Sequence, residues 1–198
     1  GVERAIEVVD QLLRRKGAPL YVRREIVHNK SVVADFQSRG VVFVEELDEV
    51  PEGSTVVFSA HGVAPSVHAE AADRDLKTID ATCPLVTKVH HEVKLMAGRD
   101  YDIIYVGHEG HDEAVGAIAE APEAAKLVDP VDGLGAFEPA DPDRVALLAQ
   151  TTLGLFEWEG ILADAGEPGQ LIDDLRLDQG GVHVEYHQPA VAPVHGVL

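Results

Sequence analysis

The stretch Thr55-Val56-Val57-Phe58-Ser59-Ala60-His61-Gly62 is an apolar run that ends in a histidine and a glycine. Its β-branched and aromatic residues favour a strand, and the glycine favours a tight loop after it. The run does not alternate with polar residues, which indicates a strand covered on both faces. A second stretch, Ile104-Tyr105-Val106-Gly107-His108, repeats this design. The pair indicates two similar α/β units, one before and one after about Cys83.

Short apolar runs alternate with segments of helical periodicity over most of the chain. The predicted helices cover residues 2–16, 30–39, 65–74, 84–96, 112–119 and 155–165, and the predicted strands cover 20–22, 41–44, 55–59, 76–79, 101–106, 126–128 and 145–149. Because short loops marked by glycine or proline connect them, this alternation is typical of parallel sheets with right-handed crossovers. We predict an α/β fold with a first unit at residues 1–82, a second at 83–165 and an irregular tail at 166–198.

The bulk composition limits the partners. The chain has 198 residues, of which 45% are apolar, and a net charge of −19. A core can therefore form, but the basic patches that nucleic acids and anionic membranes require are not expected. One cysteine excludes an intrachain disulfide and fits a reducing compartment. Since no apolar run reaches about 18 residues and no signal-peptide pattern is present, we predict a cytoplasmic protein.

Polar groups follow five of the predicted strands, the first of them after a few intervening residues. In chain order they are His28, His61, Cys83, the group of His108, His111 and Glu113, and the pair Thr151 and Thr152. Because the carboxyl ends of parallel strands share one edge of a sheet, where ligands of such folds bind, these groups can face one cleft. A single histidine is more often a surface or core residue, but polar groups after five different strands favour an active site.

The chemistry of these groups leaves alternatives open. Histidines and a threonine can hold an anionic, oxygen-rich ligand, and Glu113 can transfer a proton or simply complement a helix dipole. Cys83 lies where a strand meets a helix that begins with Pro84, and a helix N-terminus stabilises a thiolate that can ligate metal. It can equally be a buried structural cysteine, or the nucleophile of a hydrolase with His61 or His111 as its base.

A separate cluster lies near the end of the chain. His183, Glu185 and His187 would share one face of a strand and could bind a metal ion. The favoured interpretation is a chance cluster in an unstructured tail.

Six segments of the sequence together resemble the 4-hydroxy-3-methylbut-2-enyl diphosphate reductases, the LytB/IspH family. They are 1–6 (GVERAI), 22–30 (VRREIVHNK), 58–63 (FSAHGV), 80–90 (DATCPLVTKVH), 107–113 (GHEGHDE) and 150–153 (QTTL). The segments stand in the family's order and spacing. The resemblance implies reductive removal of an allylic hydroxyl, the last step of the non-mevalonate isoprenoid pathway. The products would be isopentenyl and dimethylallyl diphosphate.

The resemblance also implies a cofactor and residue roles. The family fold is a trefoil-like arrangement of three α/β units around a 4Fe–4S cluster, and a reduced ferredoxin or flavodoxin supplies the electrons. Position by position, the resemblance makes Cys83 the middle of three cluster ligands and Glu113 the proton donor. The substrate-binding residues that it implies are His28, His61, His111 and Thr151, the last of these near the substrate hydroxyl.

The chain departs from the family pattern at the cysteines. The family has Gly-Phe-Cys-Ala-Gly-Val where this chain begins at Gly1-Val2, and no cysteine follows Thr151. We predict a chain truncated at both ends, with the third unit missing or degraded. Since clusters take three or four cysteine ligands, we also predict that it retains no stable cluster and has little or no reductase activity. The alternative is a redox-dead module that binds diphosphate. Lesser departures are Arg24 and Asp112, where many relatives have histidine and proline.

Overall fold

The computed structural model describes residues 2–27, 29–134, 139–141, 144–164, 177–178, 181–182 and 184–186. The helices are α1 (Val2–Lys16), α2 (Lys30–Ser38), α3 (Pro65–Asp73), α4 (Pro84–Ala97), α5 (Asp112–Ile118) and α6 (Leu155–Asp164). The strands are β1 (Leu20–Arg23), β2 (Val41–Val44), β3 (Thr55–Phe58), β4 (Lys77–Asp80), β5 (Asp102–Val106), β6 (Ala125–Val128), β7 (Val145–Ala149), β8 (Leu177–Asp178), β9 (Gly181–Val182) and β10 (Val184–Tyr186). Over the described residues, every helix is too short or too polar to span a bilayer.

The first sheet contains β1 to β4 in the order β2-β1-β3-β4, and its strands all run parallel. The side chains of β3 pack on both faces of this sheet. Val57 packs in a core cluster with Val9 of α1, whereas Phe58 packs in another with Ala71 of α3. Helices therefore cover both faces, which is why the apolar run of β3 contains no alternating polar residues.

The second sheet has the order β10-β7-β5-β6. β5 runs parallel to both β6 and β7, whereas β10 runs antiparallel to β7. Tyr105 of β5 packs with Val93 of α4, and the neighbouring Ile104 packs on the other face with Trp158 and Ile161 of α6. The second sheet is therefore covered on both faces in the same way as the first.

Capping residues fix where the helices begin that follow the strand ends. The Asn29 side chain caps α2 by accepting hydrogen bonds from the N–H groups of Ser31 and Val32, at 3.0 and 3.3 Å. Cys83 is the N-cap residue of α4, with an extended backbone, and Pro84 occupies the first helical position. Proline suits that position because it has no N–H to satisfy and its φ is already helical. Cys83 is thereby fixed at a junction of strand and helix.

The predicted α/β class with two parallel-stranded units is confirmed. One difference is that β10 makes the second sheet mixed, where the sequence predicted only parallel pairs. This strand pairs with backbone groups of β7 that an edge strand would leave unpaired. The proposed division of the chain at residues 82 and 83 stays a prediction.

Residues 166–198 were predicted to be irregular, but their described stretches form β8, β9 and β10. The first two pair as a short antiparallel ladder. The remaining residues of this range, including His183 and His187 of the tail cluster, lie outside the described part of the chain.

Candidate functional site

Loops at the carboxyl ends of β3, β5 and β7 bring four polar side chains together. His61 follows β3 of the first sheet, His111 and Glu113 follow β5 of the second, and Thr151 follows β7. One potential ligand atom from each of His61, His111 and Glu113 lies within 4.8 Å of the other two, and Thr151 is hydrogen-bonded to Glu113. Both sheets therefore contribute side chains to one site.

Glu113 is the buried acid of this site. It lies in the first turn of α5 with 0% of its surface exposed. Its Oε1 accepts a hydrogen bond from the backbone N–H of Thr151 at 2.6 Å, and its Oε2 accepts one from the Thr151 hydroxyl at 2.9 Å. Burial raises the pKa of Glu113 above its ordinary value of 4.5, and the two bonds from Thr151 oppose that rise. The carboxyl therefore keeps a proton to higher pH than an exposed glutamate, as a proton donor requires.

The two imidazoles of the site meet edge to face. The ring centroids of His61 and His111 are 5.2 Å apart and the ring planes are inclined by 87°. His111 is also the N-cap residue of α5, where its Nδ1 accepts a hydrogen bond from the Glu113 N–H at 3.2 Å. Because Nδ1 is an acceptor, the proton of the neutral ring lies on Nε2, from which it can be donated to an anion.

Gln150 fixes the loop that carries Thr151. Its side chain is buried, and its Oε1 accepts a hydrogen bond from the backbone N–H of His108 at 3.1 Å. Its Nε2 donates to the hydroxyl oxygen of Thr152 at 2.7 Å. Since His108 lies on the loop after β5, this one side chain ties the loops of two neighbouring strands together. The segments that carry Glu113 and Thr151 are thereby held close.

Comparison with known proteins identifies the family. The sequence model of the family described as LytB protein matches residues 1–173. The chain belongs to the LytB family. The 4-hydroxy-3-methylbut-2-enyl diphosphate reductase of Mycobacterium sp. (strain KMS) is 60% identical to this LytB chain over 157 residues, which are 79% of the chain and 47% of the relative. The reductase of Mycobacterium ulcerans (strain Agy99) is 57% identical over 163 residues, 82% of the chain and 49% of the relative.

Solved structures agree with this assignment. The E-1-hydroxy-2-methyl-but-2-enyl-4-diphosphate reductase of Plasmodium falciparum matches 82% of the LytB chain with a TM-score of 0.77 and 38% identity, over 51% of its own chain. A second structure, (E)-4-hydroxy-3-methyl-but-2-enyl diphosphate reductase, matches 82% of the chain with a TM-score of 0.70 and 29% identity, over 58% of its own chain. The LytB chain spans about half the length of the curated relatives it matches. The family resemblance in the sequence is confirmed.

Cys83 lies beside the site but is not part of its central group, by which we mean the side chains of His61, His111 and Glu113. Its backbone N–H donates to the carbonyl of Ala60, the residue before His61, at 3.0 Å. The thiol is free and partly exposed. Among the described residues of the LytB chain, however, the convergent ligand atoms belong to His61, His111 and Glu113, and the sulfur is not one of them.

His108, one of the histidines at strand ends, does not belong to the group formed by His61, His111 and Glu113. His108 faces the carboxylates of Asp129 and Glu157, at 3.9 and 3.4 Å, and its side chain is 43% exposed. His28 lies outside the described residues, so its predicted role stays a prediction.

Arg24 and Asp112, which the resemblance predicts to differ from many relatives, contact each other. Arg24 directly follows β1, and its guanidinium forms an ion pair with Asp112 in the first turn of α5. Asp112 stands between His111 and Glu113 in the chain. The ion pair therefore links the first sheet to the segment that carries both site residues.

Two buried polar residues near the site were not predicted. Gln150 had only a weak signal, a polar residue between an apolar strand and two threonines. The hydroxyl of Tyr105 is buried without a hydrogen bond in the described part of the chain, and burial together with the charge of Glu113 raises its pKa. A tyrosine within an apolar strand gives no sequence signal that separates it from other core residues.

Proposed function

We propose that the LytB chain contributes diphosphate binding and proton donation to a 4-hydroxy-3-methylbut-2-enyl diphosphate reductase. In that reaction the allylic hydroxyl leaves as water while two electrons and two protons enter, and isopentenyl or dimethylallyl diphosphate is formed. The relatives with this name support the proposal, since they match about four fifths of the chain. The observation that carries it is the buried carboxyl of Glu113, hydrogen-bonded to Thr151, beside His61 and His111.

Each site residue has a role in this proposal. His61 and His111, together with His28, bind the diphosphate, because imidazole N–H groups donate to phosphate oxygens without requiring a fixed positive charge. Thr151 lies beside the substrate hydroxyl, and Glu113 gives its proton to that hydroxyl as it leaves. The raised pKa of Glu113 supports this role, since the carboxyl holds its proton at a higher pH.

The iron–sulfur cluster expected of the family does not fit this chain alone. Cys83 is the only cysteine of the sequence, whereas such clusters take three or four cysteine ligands. We therefore assign no step through iron, and propose that the chain by itself does not reduce the substrate. A reduced ferredoxin or flavodoxin as electron donor and a cytoplasmic location belong to the same proposal for the complete enzyme.

Calorimetric titration of the full chain with inorganic pyrophosphate tests the binding role. We expect His61→Ala and His111→Ala each to weaken binding by about tenfold or more, since a hydrogen bond to a charged group contributes about 1.5 to 3 kcal/mol. His91→Ala is the control, because His91 is exposed on α4 outside the central group. No heat at about 1 mM pyrophosphate, where even weak sites are occupied, would contradict the proposal.

The single cysteine favours a second candidate, a redox-inactive module that only binds diphosphate. Mixing the chain with the unmatched part of the Mycobacterium ulcerans reductase distinguishes the two candidates. Recovery of anaerobic turnover after cluster reconstitution supports the reductase part. Pyrophosphate binding without any recovery supports the binding module.

A further inference from the structure

His90 lies between the two segments that carry the site. It is on α4 and is 8% exposed. A methyl group added to Gly62 would lie 3.0 Å from its Nε2, and one added to Gly116 would lie 3.3 Å from its Cε1. The ring is therefore packed against both glycines at once. Gly62 directly follows His61, and Gly116 lies about one helical turn after Glu113 in α5.

A carboxylate orients this ring. Nδ1 of His90 lies 2.8 Å from Oε1 of Glu120, which follows α5, and Nζ of Lys94 lies 3.2 Å from the other oxygen. Because a carboxylate can only accept, the N–H of the ring donates here. Nε2 is buried and makes no hydrogen bond within the described residues. The bond to Glu120 is thus the polar contact that fixes the ring between the two glycines.

The loop of His61 is held by α4 on both sides of that histidine. On one side, the N–H of Cys83 donates to the carbonyl of Ala60. On the other side, His90 packs against Gly62, whose φ of +76° favours a residue without a side chain. Cys83 and His90 are seven positions apart, about two turns of one helix. The position of His61 relative to α5 therefore depends on what fills the space that His90 occupies.

We propose that His90 is a positioning residue for the site, which spaces the loop of His61 from the helix of Glu113 so that both reach one ligand. His90 does not touch the ligand itself. The inference rests on the proposed pyrophosphate-binding function. A residue that serves only the core would stabilise the fold without coupling to His61.

A double-mutant cycle of His90→Ala and His61→Ala, in the full chain with inorganic pyrophosphate, separates these roles. We expect His90→Ala to weaken binding by about tenfold, as changes in residues that orient ligating groups do. His90→Asn should recover part of this loss, because its amide N–H can still donate to Glu120. In the His61→Ala background the loss should be clearly smaller, since the residue being positioned is already gone. Equal losses in both backgrounds would overturn the inference.

A measurement without ligand separates this inference from the proposed function. The rings of His61 and His111 are close enough for a nuclear Overhauser effect between their protons. We expect this signal to weaken in His90→Ala and to persist in the control His91→Ala, while circular dichroism verifies that both are folded. If the wild-type chain binds no pyrophosphate, the proposed function fails, and the nuclear Overhauser effect alone then tests the positioning role. An unchanged effect in His90→Ala would overturn that role. If His90→Ala does not fold, His90→Val, whose side chain is smaller than the ring and cannot donate to Glu120, is judged by the same criterion.

Discussion

Glu113 and Thr151 show how neighbouring residues set each other's chemistry. The carboxyl is buried, so its charged form is disfavoured, yet both oxygens accept bonds from Thr151. A group whose pKa is higher in the folded chain than in the unfolded chain binds its proton more tightly when folded. The free energy of unfolding therefore falls as the pH rises from 4.5, the ordinary pKa of the group, through its raised pKa in the folded chain.

Replacement of Glu113 by Gln tests this pH dependence. We expect Glu113→Gln to gain stability relative to the wild type as the pH rises above 4.5, because the amide has no charge to bury. The difference should level off once the pH exceeds the raised pKa. Urea denaturation at several pH values measures it, and parallel stability profiles for the two chains would contradict the expectation.

The Thr151 hydroxyl offers a second test at this scale. Thr151→Val removes the donor to Oε2 of Glu113 with little change in volume, and should cost about 1 to 3 kcal/mol of stability because a buried acceptor loses its partner. It should also raise the pKa of Glu113 further, since that bond lowers it. The carboxyl ¹³C shift of Glu113 reports this pKa by titration. The control is Thr152→Val, whose hydroxyl bonds to Gln150 instead and should leave the pKa unchanged.

At the scale of elements, the fit of α4 against the loop after β3 depends on Gly62. This glycine has φ +76°, and a Cβ there would lie 3.0 Å from His90 and 3.2 Å from Val86. Gly53 has φ +72° but nothing within 4 Å of such a Cβ. The two positions therefore share the same backbone conformation and differ in their surroundings.

Alanine at these two glycines separates backbone strain from crowding. We expect Gly53→Ala to lower the free energy of unfolding by about 1 kcal/mol, because only the left-handed backbone is strained there. Gly62→Ala should lower it by about 2 to 4 kcal/mol, because the added methyl group also overpacks the contact with α4. Chemical denaturation measures both. Equal losses would show that α4 yields freely at this contact.

The ion pair between Arg24 and Asp112 joins elements of the two units. These side chains are 31% and 20% exposed, so the pair is partly shielded from water. A double-mutant cycle with alanine should give a coupling free energy of about 1 kcal/mol, near the upper end for pairs that are not fully buried. The control pair, Arg144 and Asp100, is 51% and 90% exposed and should give a coupling close to zero. A coupling no larger than the control's would mean that this contact does not hold the units together.

At the scale of the whole molecule, the sequence offers one thiol for a cofactor that needs several. Anaerobic reconstitution with iron and sulfide should therefore leave this chain without a stoichiometric 4Fe–4S cluster. Electron paramagnetic resonance after reduction, with iron and sulfide analysis per chain, measures the outcome. The same treatment of the longer Mycobacterium ulcerans relative is the positive control. A full cluster signal from this chain would contradict the prediction.

The parallel sheets and most element positions could be predicted because their causes are local. The unbroken apolar run Val145–Ala149 indicates a strand covered on both faces, and Pro84 and Gly17 mark a helix start and a helix end. The similar run Val41–Val44 also forms a strand, but the expectation that both of its faces are covered is wrong, because it lies at the edge of its sheet and Val42 is 40% exposed. The strand β10 was not among the predicted strands, although residues 182–186 (VHVEY) alternate apolar and polar residues as strands do. Its antiparallel pairing with β7 joins segments far apart in the chain, and no local pattern specifies that pairing.

By itself, the sequence determined the α/β class, the family and the strand ends that carry His61, His111, Glu113 and Thr151. Only the tertiary structure decided that these four side chains meet while His108 turns to other partners. Likewise, Arg24 and Asp112 are 88 positions apart, and no periodicity relates them. The physical reason is range: hydrophobic patterns and caps act over a few residues, whereas distances between loops follow from how the two sheets and their helices pack.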